Sequence, residues 1–189
     1  GPADELESTA NQQPASFVTS MAWLDAVRER FAASGRKFDP HLFAGHSMGE
    51  FTAAVAAGSL DFEEGLLLVA ERGRLMGEAG TENPGGMASI LGLPEAKVLE
   101  ICAEASKEGY VGLANAHCDG QSVISGYLKP LTTAIELAEK AKARKVVRLP
   151  ISIGSHSPLM AKATPVPIAF QSAVLIENGG NLSIQTQPS

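Results

Sequence analysis

The 189-residue sequence has no run of lysine or arginine, no long apolar stretch, and only two cysteines. A nucleic-acid surface needs a basic stripe, and a net charge of −6 with no such stripe excludes one. A membrane-spanning helix needs ~20 consecutive apolar residues, and none occur. Cys102 and Cys118 stand too far apart to suggest a disulfide framework, which fits a reducing, cytoplasmic compartment. Cys102 falls on an apolar helix face and reads as a small buried hydrophobe. Among His41, His46, His117 and His156 no two have metal-ligand spacing on one element, so no metal is expected. The segment Ala3-Asp4-Glu5-Leu6-Glu7 is acidic and polar, the reverse of a secretory signal, and Gly1-Pro2 resembles a protease scar.

What is present is ordinary globular composition, 44% hydrophobic and 19% charged, enough for one domain with a smaller lobe inserted. Phe17, Met21, Leu24 and Phe31 recur at helical spacing and predict an amphipathic helix from Pro14 to Ala33. Leu42-Phe43-Ala44 reads as a short buried strand, and Phe51 to Ala57 as a small-residue helix closed by Gly58. Asp61 is placed to cap a helix running from Phe62 to about Glu78, and 80–86 reads as a loop. From Met87 to Leu149 the pattern becomes β-α-β-β-α-β, with Pro94 and Pro130 in first helical turns. After Pro150 only Ile151 to Met160 and the strand-like patch Ala173-Val174-Leu175-Ile176 stand out.

Chemistry concentrates at Gly45-His46-Ser47-Met48-Gly49, a G-x-S-x-G sequence between a short strand and a helix. That context is the one a nucleophile elbow requires. The serine sits on a sharp turn, and both glycines are expected to make room where a Cβ would collide. N–H groups at the start of the next helix point at the site, and that of Met48 can help to hold an oxyanion. A serine nucleophile needs a base downstream, and the candidates are His117 and His156. His117 lies in the loop Ala116–Gly120 and reads as solvated. His156 follows the last strand of the small lobe, within Ser155-His156-Ser157-Pro158. No acid in a recognisable turn separates Ser47 from His156, which argues against an esterase.

Three segments in register resemble the malonyl-CoA:acyl-carrier-protein acyltransferase family, which includes the acyltransferase domains of fatty-acid and polyketide synthases. They are Gly45-His46-Ser47-Met48-Gly49-Glu50, Glu71-Arg72-Gly73-Arg74-Leu75-Met76 and Ser155-His156-Ser157-Pro158-Leu159-Met160. Asn11-Gln12-Gln13-Pro14-Ala15 is similar to the family's lead into a long helix. Asn115 through Gly126 resembles its small-lobe Gly-Gln-x-Val-x-x-Gly stretch. The resemblance runs from about Glu5 to Met160.

The resemblance implies a fold and a set of roles. The fold is an α/β-hydrolase-like core with a parallel sheet, residues 3–84 and 151–189, and an inserted ferredoxin-like small lobe, residues 85–150. Ser47 is acylated by malonyl-CoA, and His156 serves as base and then acid. Arg72 binds the malonyl carboxylate, a role that suits a planar guanidinium. Taken alone, Arg72 also reads as a solvated residue pairing with Glu71 or Glu78. Met48 occupies the family's variable, selectivity-bearing position, His46 reads as a wall residue, and Asn115 as a substrate-binding one. The acceptor implied is the phosphopantetheine thiol of acyl carrier protein, acting with a monomeric enzyme. No cofactor is needed, since CoA and phosphopantetheine arrive with the substrates. Lys142, Arg144, Lys145 and Arg148 could meet an acidic carrier, although a charge run is more often a solvated face.

The sequence also departs from the family. The family's opening strand and its glycine- and glutamine-rich oxyanion loop are not found before Ala3. Thr164-Pro165-Val166-Pro167-Ile168 resembles a strand that normally follows a helix not found here. From Ala169 onward no resemblance is found. The expectation is of a member incomplete at both ends, with a non-catalytic fragment as the alternative.

Overall fold

The computed structural model describes residues 2–163, 174–177 and 182–184. They fall into two compact units. The first runs to Arg74 and includes the strands at 174–177 and 182–184; the second starts at Leu75.

In the first unit a short helix α1 (Ala3–Leu6) precedes the long helix α2 (Thr9–Ala33). The expected buried face is present: Phe17 is wholly buried and Met21 nearly so, while Leu24 and Phe31 are half-buried. Phe17 and Met21 pack with Val69 of helix α4 (Phe62–Glu82) and with Met48, Phe51 and Val55. Burying a side chain such as Phe17 stabilises by about 1.5–3 kcal/mol. Helix α2 begins five residues earlier than Pro14 suggests, so Pro14 lies inside it. A proline there removes one N–H near the helix start, and contacts from α4 fix the extra turn. The hydroxyl of Thr9 donates to the carbonyl of Gly73 at 2.8 Å. A Cβ on Gly73 would sit 2.5 Å from that same residue's carbonyl oxygen. Helix α4 itself begins as expected, with Asp61 accepting the Glu64 N–H at 2.8 Å.

Strand β1 (Leu42–Gly45) leads into helix α3 (Gly49–Ala56), which Gly58 closes in left-handed geometry. Two expectations for β1 are corrected. It is not a buried strand, since Leu42 is 51% exposed. Nor do the described residues form a parallel sheet: β1 pairs antiparallel with β6 (Val174–Glu177), and β6 antiparallel with β7 (Leu182–Ile184). Parallel pairing needs a long crossover back to the same sheet. The next strand after α3 and α4 joins the other unit's sheet, and only four residues separate β6 from β7. The segment Thr164–Ile168, expected to be a strand, lies outside the described residues.

In the second unit the elements follow the order that the hydrophobic pattern predicts: β2 (Gly85–Leu91), α5 (Glu95–Ala105), β3 (Val111–Cys118), β4 (Gln121–Tyr127), α6 (Leu128–Lys140) and β5 (Lys145–Arg148). The four strands pair antiparallel in the order β3-β4-β2-β5. Ala88 and Ile90 of β2, Val98 and Cys102 of α5, and Leu131 and Ala134 of α6 share one core. Two boundaries differ from expectation. Helix α4 continues to Glu82 because Gly80, without a Cβ, lets Ile153 pack against it. Strand β3 extends to Cys118, so His117 lies at an exposed strand end rather than in a loop. Both thiols are free; burial pushes that of Cys102 up to about 11, which keeps it protonated and inert.

The junction of β1 and α3 corrects one further expectation. A Cβ on Gly45 would land on the backbone carbonyl of Gly49, whereas one on Gly49 would meet nothing among the described residues. One glycine makes the close approach, and the other merely supplies the backbone approached. Gly45→Ala should therefore lower stability by about 1–3 kcal/mol, as overpacking does. Gly49→Ala, in a helical first turn, should be neutral or slightly stabilising. Urea denaturation of the two variants checks this, and equal losses at both positions would contradict it.

Candidate active site

The turn between β1 and α3 is built from three successive short-range bonds. Gly49 N–H donates to His46 C=O at 2.9 Å, Glu50 N–H to Ser47 C=O at 3.2 Å, and Phe51 N–H to Met48 C=O at 3.2 Å. Closing the chain this tightly forces Ser47 to a φ of 56°, the left-handed region that a side chain rarely adopts. The serine is thereby lifted out of both strand and helix, as a nucleophile elbow requires. The same bonds correct the expectation of several free N–H groups at the helix start. Those of Gly49, Glu50 and Phe51 are consumed, while the Met48 N–H takes no part in closing the turn.

Arg72 reaches this turn from α4. Its Nη2 donates to Ser47 Oγ at 3.0 Å, and its Nη1 donates to Gln13 Oε1 of α2. The alternative of a solvated Arg72 paired with Glu71 does not hold: Glu71 grips Arg74 instead, at 2.6 and 2.7 Å, on the exposed side of the helix. Two residues on, Arg74 faces away, which is what helical geometry dictates. Arg72 is half-buried, and burial pulls its pKa down while the nearby charge of Glu50 opposes that fall.

Glu50 and Gln13 are the two residues of this cluster to which the sequence reading gave no role. Glu50 is only 3% exposed, and its Oε2 has no hydrogen-bond partner among the described residues. Burial pushes its carboxyl up to about 7, against the opposing pull of Arg72 and a hydrogen bond from the Ser47 backbone N–H. Short-range pattern does not mark it: the N-cap of α3 is Met48, so Ser47 and Glu50 do not stand at the two positions of a capping box. Gln13 is 7% exposed and lies on the stripe 13, 17, 21 that Phe17 and Met21 bury. A polar residue on an apolar stripe needs a partner, and Arg72 is that partner.

The other predicted residues are placed as follows. His46 is exposed beside the turn, to which it contributes its carbonyl. Met48 turns its side chain into the cluster with Phe17 and Val69, where its sulfur accepts the Thr52 hydroxyl at 3.9 Å. Asn115 and His156 belong to the second unit. Asn115 is half-buried on β3, where the pairing with β4 slips by one residue after Leu113. His156 also has a left-handed backbone, φ 56°, at the tip of a turn. Within that turn the Ser157 hydroxyl donates to Gly154 C=O and accepts the Leu159 N–H at 3.3 Å. Leu159 and Met160 anchor the segment in a cluster with Ala79 and Ile153. Among the described residues no group of three or more His, Cys, Asp or Glu is placed to hold a metal, and no helix is long and apolar enough to cross a membrane.

The raised carboxyl of Glu50 sets the sign of a pH dependence. Unfolded, it releases its proton near 4.5; folded, it keeps it up to about 7. Its protonation therefore favours the folded state, fully below 4.5 and not at all once the pH has risen through about 7. Thermal melts from pH 4 to pH 8 should show the parent losing more stability towards high pH than Glu50→Gln does. Parallel profiles for the two proteins would contradict this.

Comparison with known proteins gives concordant results. Residues 1–174 match the family model described as the acyl transferase domain. The malonyl CoA-acyl carrier protein transacylase of Haemophilus influenzae is 37% identical over 178 residues, which is 94% of this chain and 54% of that protein. Its counterpart in Bacillus subtilis is 42% identical over 164 residues, 86% of this chain and 50% of that protein. Among solved structures, a malonyl-transacylase in complex with a type II polyketide synthase acyl-carrier protein superposes with a TM-score of 0.77 at 36% identity, covering 86% of this chain and 51% of that one. The transacylase of Coxiella burnetii gives 0.77 at 38% identity, with 86% and 50% covered. The chain thus spans about half the length of the curated relatives it matches. With a matched model covering most of its residues and an α/β structure like that of solved malonyl-transacylases, the chain belongs to the acyl transferase domain family.

Proposed function

We propose that this chain moves a malonyl group from malonyl-CoA to the phosphopantetheine thiol of an acyl carrier protein, through an ester on Ser47. The observation that carries the proposal is the 3.0 Å contact of Arg72 with Ser47 Oγ, made by a guanidinium held in place by Gln13. It sets a carboxylate receptor beside a hydroxyl, which is what a nucleophile for a carboxyl-bearing acyl group requires. The relatives' names, which pair malonyl-CoA with an acyl carrier protein, support the same reading.

In the first half-reaction Ser47 Oγ attacks the thioester carbonyl while its proton passes to His156. The tetrahedral oxyanion accepts the Met48 N–H, the group that the turn leaves out of its own bonding. The C–S bond then breaks, and CoA leaves as the thiol with the proton from His156. In the second half-reaction His156 takes the proton of the carrier's thiol, the sulfur attacks the Ser47 ester, and Ser47 leaves reprotonated. Arg72 grips the malonyl carboxylate through both halves, exchanging its bond to Ser47 Oγ for one to substrate. Asn115 and His46 serve as substrate contacts, and Met48 sets acyl selectivity. CoA and phosphopantetheine belong to the substrates, so no separate cofactor and no metal is invoked. The setting proposed is cytoplasmic, with the protein acting as a monomer.

The architecture that goes with this reading is an α/β-hydrolase-like core, residues 3–84 and 151–189, carrying a ferredoxin-like lobe, residues 85–150. The strand order β3-β4-β2-β5 with two helices on one core supports the second part.

Intact mass after incubation with malonyl-CoA tests the proposal. A malonyl adduct is expected on the parent and not on Ser47→Ala, and Arg72→Ala should slow malonyl loading roughly tenfold or more relative to acetyl loading. A folded parent that gains no adduct would favour the non-catalytic alternative, and rapid loss of the adduct to water a thioesterase.

The carrier is proposed to meet Lys142, Arg144, Lys145 and Arg148, all of which are exposed on the second unit. Reversing these charges should raise the KM for carrier protein several-fold and steepen no other parameter. An unchanged KM would remove the patch from the proposal.

A further inference from the structure

The segment that carries His156 closes on itself twice, and both closures use the same two residues. The first is polar: the Ser157 hydroxyl donates to the Gly154 carbonyl and accepts the Leu159 N–H at 3.3 Å. The second is apolar, because the Leu159 side chain folds back over Gly154. A Cβ on Gly154 would sit 2.9 Å from Leu159 Cδ2, well inside the about 3.5–4.0 Å at which carbons pack. One on Gly85, at the start of β2, would sit 2.8 Å from the same methyl and 3.0 Å from the Gly154 nitrogen. The methyl therefore fills a socket with a glycine of the turn on one side and a glycine of the sheet on the other. Leu159 is buried there, only 3% exposed. Neither glycine has a positive φ, so space and not backbone conformation excludes a side chain at both positions. Nor does Ser125, the β4 side chain beneath Gly154, bond to the turn. Its hydroxyl lies 3.4 Å from the place of that Gly154 Cβ, is wholly buried, and has no partner among the described residues. Fit rather than bonding seats the turn at this point.

We infer that Leu159 is a positioning residue for His156, and that the Gly85–Gly154 socket receiving its methyl sets where the imidazole stands above the sheet. The inference rests on the reading of His156 as base and acid, and it adds residues that touch neither substrate nor reacting atoms. Gly154 lies two residues before His156 and Leu159 three after it, so a shift at either end moves the ring between them. Extra bulk in the socket pushes the turn off β2, and missing bulk lets it sink or rock. One carbon is the unit of the fit. Adding one at Gly154 or removing one at Leu159 spoils it, and doing both conserves the volume, the kind of swap that packed interiors tolerate best.

Gly154→Ala, Leu159→Val and the double variant test this on the whole chain. The first readout is the single-turnover rate of ester formation at saturating malonyl-CoA, expressed per folded molecule. Gly154→Ala should be roughly tenfold to a hundredfold slower, the effect of misplacing a reacting group by about an ångström. Leu159→Val should be slowed several-fold, and the double variant should recover most of both losses. The second readout is NMR of the His156 ring protons, which should shift in each single variant and return towards the parent positions in the double. Ser125→Ala should match the parent in both. A packing role without positioning would lower the folded fraction and leave the rate and the ring resonances at parent values; that result overturns the inference. So does a double variant no faster than Gly154→Ala, or a Ser125→Ala variant as slow as Gly154→Ala, which would mean that the hydroxyl holds the turn. If His156→Ala forms the ester as fast as the parent, the reading of His156 as base fails instead, and the ring resonances still decide whether the socket positions it.

Discussion

The first unit is organised around one positive charge that has been drawn partly out of water. Removing a guanidinium from solvent is costly unless its donors are matched, and Arg72 is matched from three directions. Helix α2 supplies an amide oxygen from Gln13, the elbow supplies the hydroxyl of Ser47, and Glu50 supplies a nearby carboxyl. Gln13 and the elbow pair Ser47 and Glu50 come from distant stretches of chain, so the elements must meet closely for the set to form. Gly73, next to Arg72, provides that closeness by letting the start of α2 lie against α4 with no intervening side chain. Gly45 does the same for β1 and α3. Both glycines act on packing first and on chemistry only through it.

The second unit is built differently. Its sheet is antiparallel throughout, its core is continuous and aliphatic, and its one buried thiol is chemically silent. The Ser155–Met160 turn is tied to this frame by Leu159, Met160 and the bridge of Ile153 with Pro84. A left-handed His156 is therefore carried on a braced segment rather than on a free loop, and its backbone geometry is held by hydrogen bonds through Ser157.

Much of this was legible in the sequence because it rests on short-range rules. The alternation from Met87 to Leu149 marks the four strands and two α-helices of the second unit's sheet layer to within a few residues, though not its two 3-10 turns, and Asp61 caps α4 as its position predicts. The elbow was visible because glycine, serine and small helix-forming residues stand between apolar runs. What was missed depends on distant partners. Pro14 looked like a helix start because its local chemistry is that of one; only the contact of Thr9 with Gly73, 64 residues away, extends the helix past it. The antiparallel pairing of β1 with a strand 132 positions on could not be read from either strand alone. The task of Gln13 has no local sign in the sequence, because its partner lies 59 residues downstream.

The left-handed backbone of Ser47 carries an evolutionary consequence. For a residue with a side chain, that conformation costs on the order of 1–3 kcal/mol, and glycine would adopt it without penalty. Selection for foldability alone would therefore drift this position towards glycine. A serine there carries a conformational cost that glycine would not. Ser47→Gly can then be sturdier than the parent, so thermal stability is a poor guide to whether the proposed chemistry of this turn is intact.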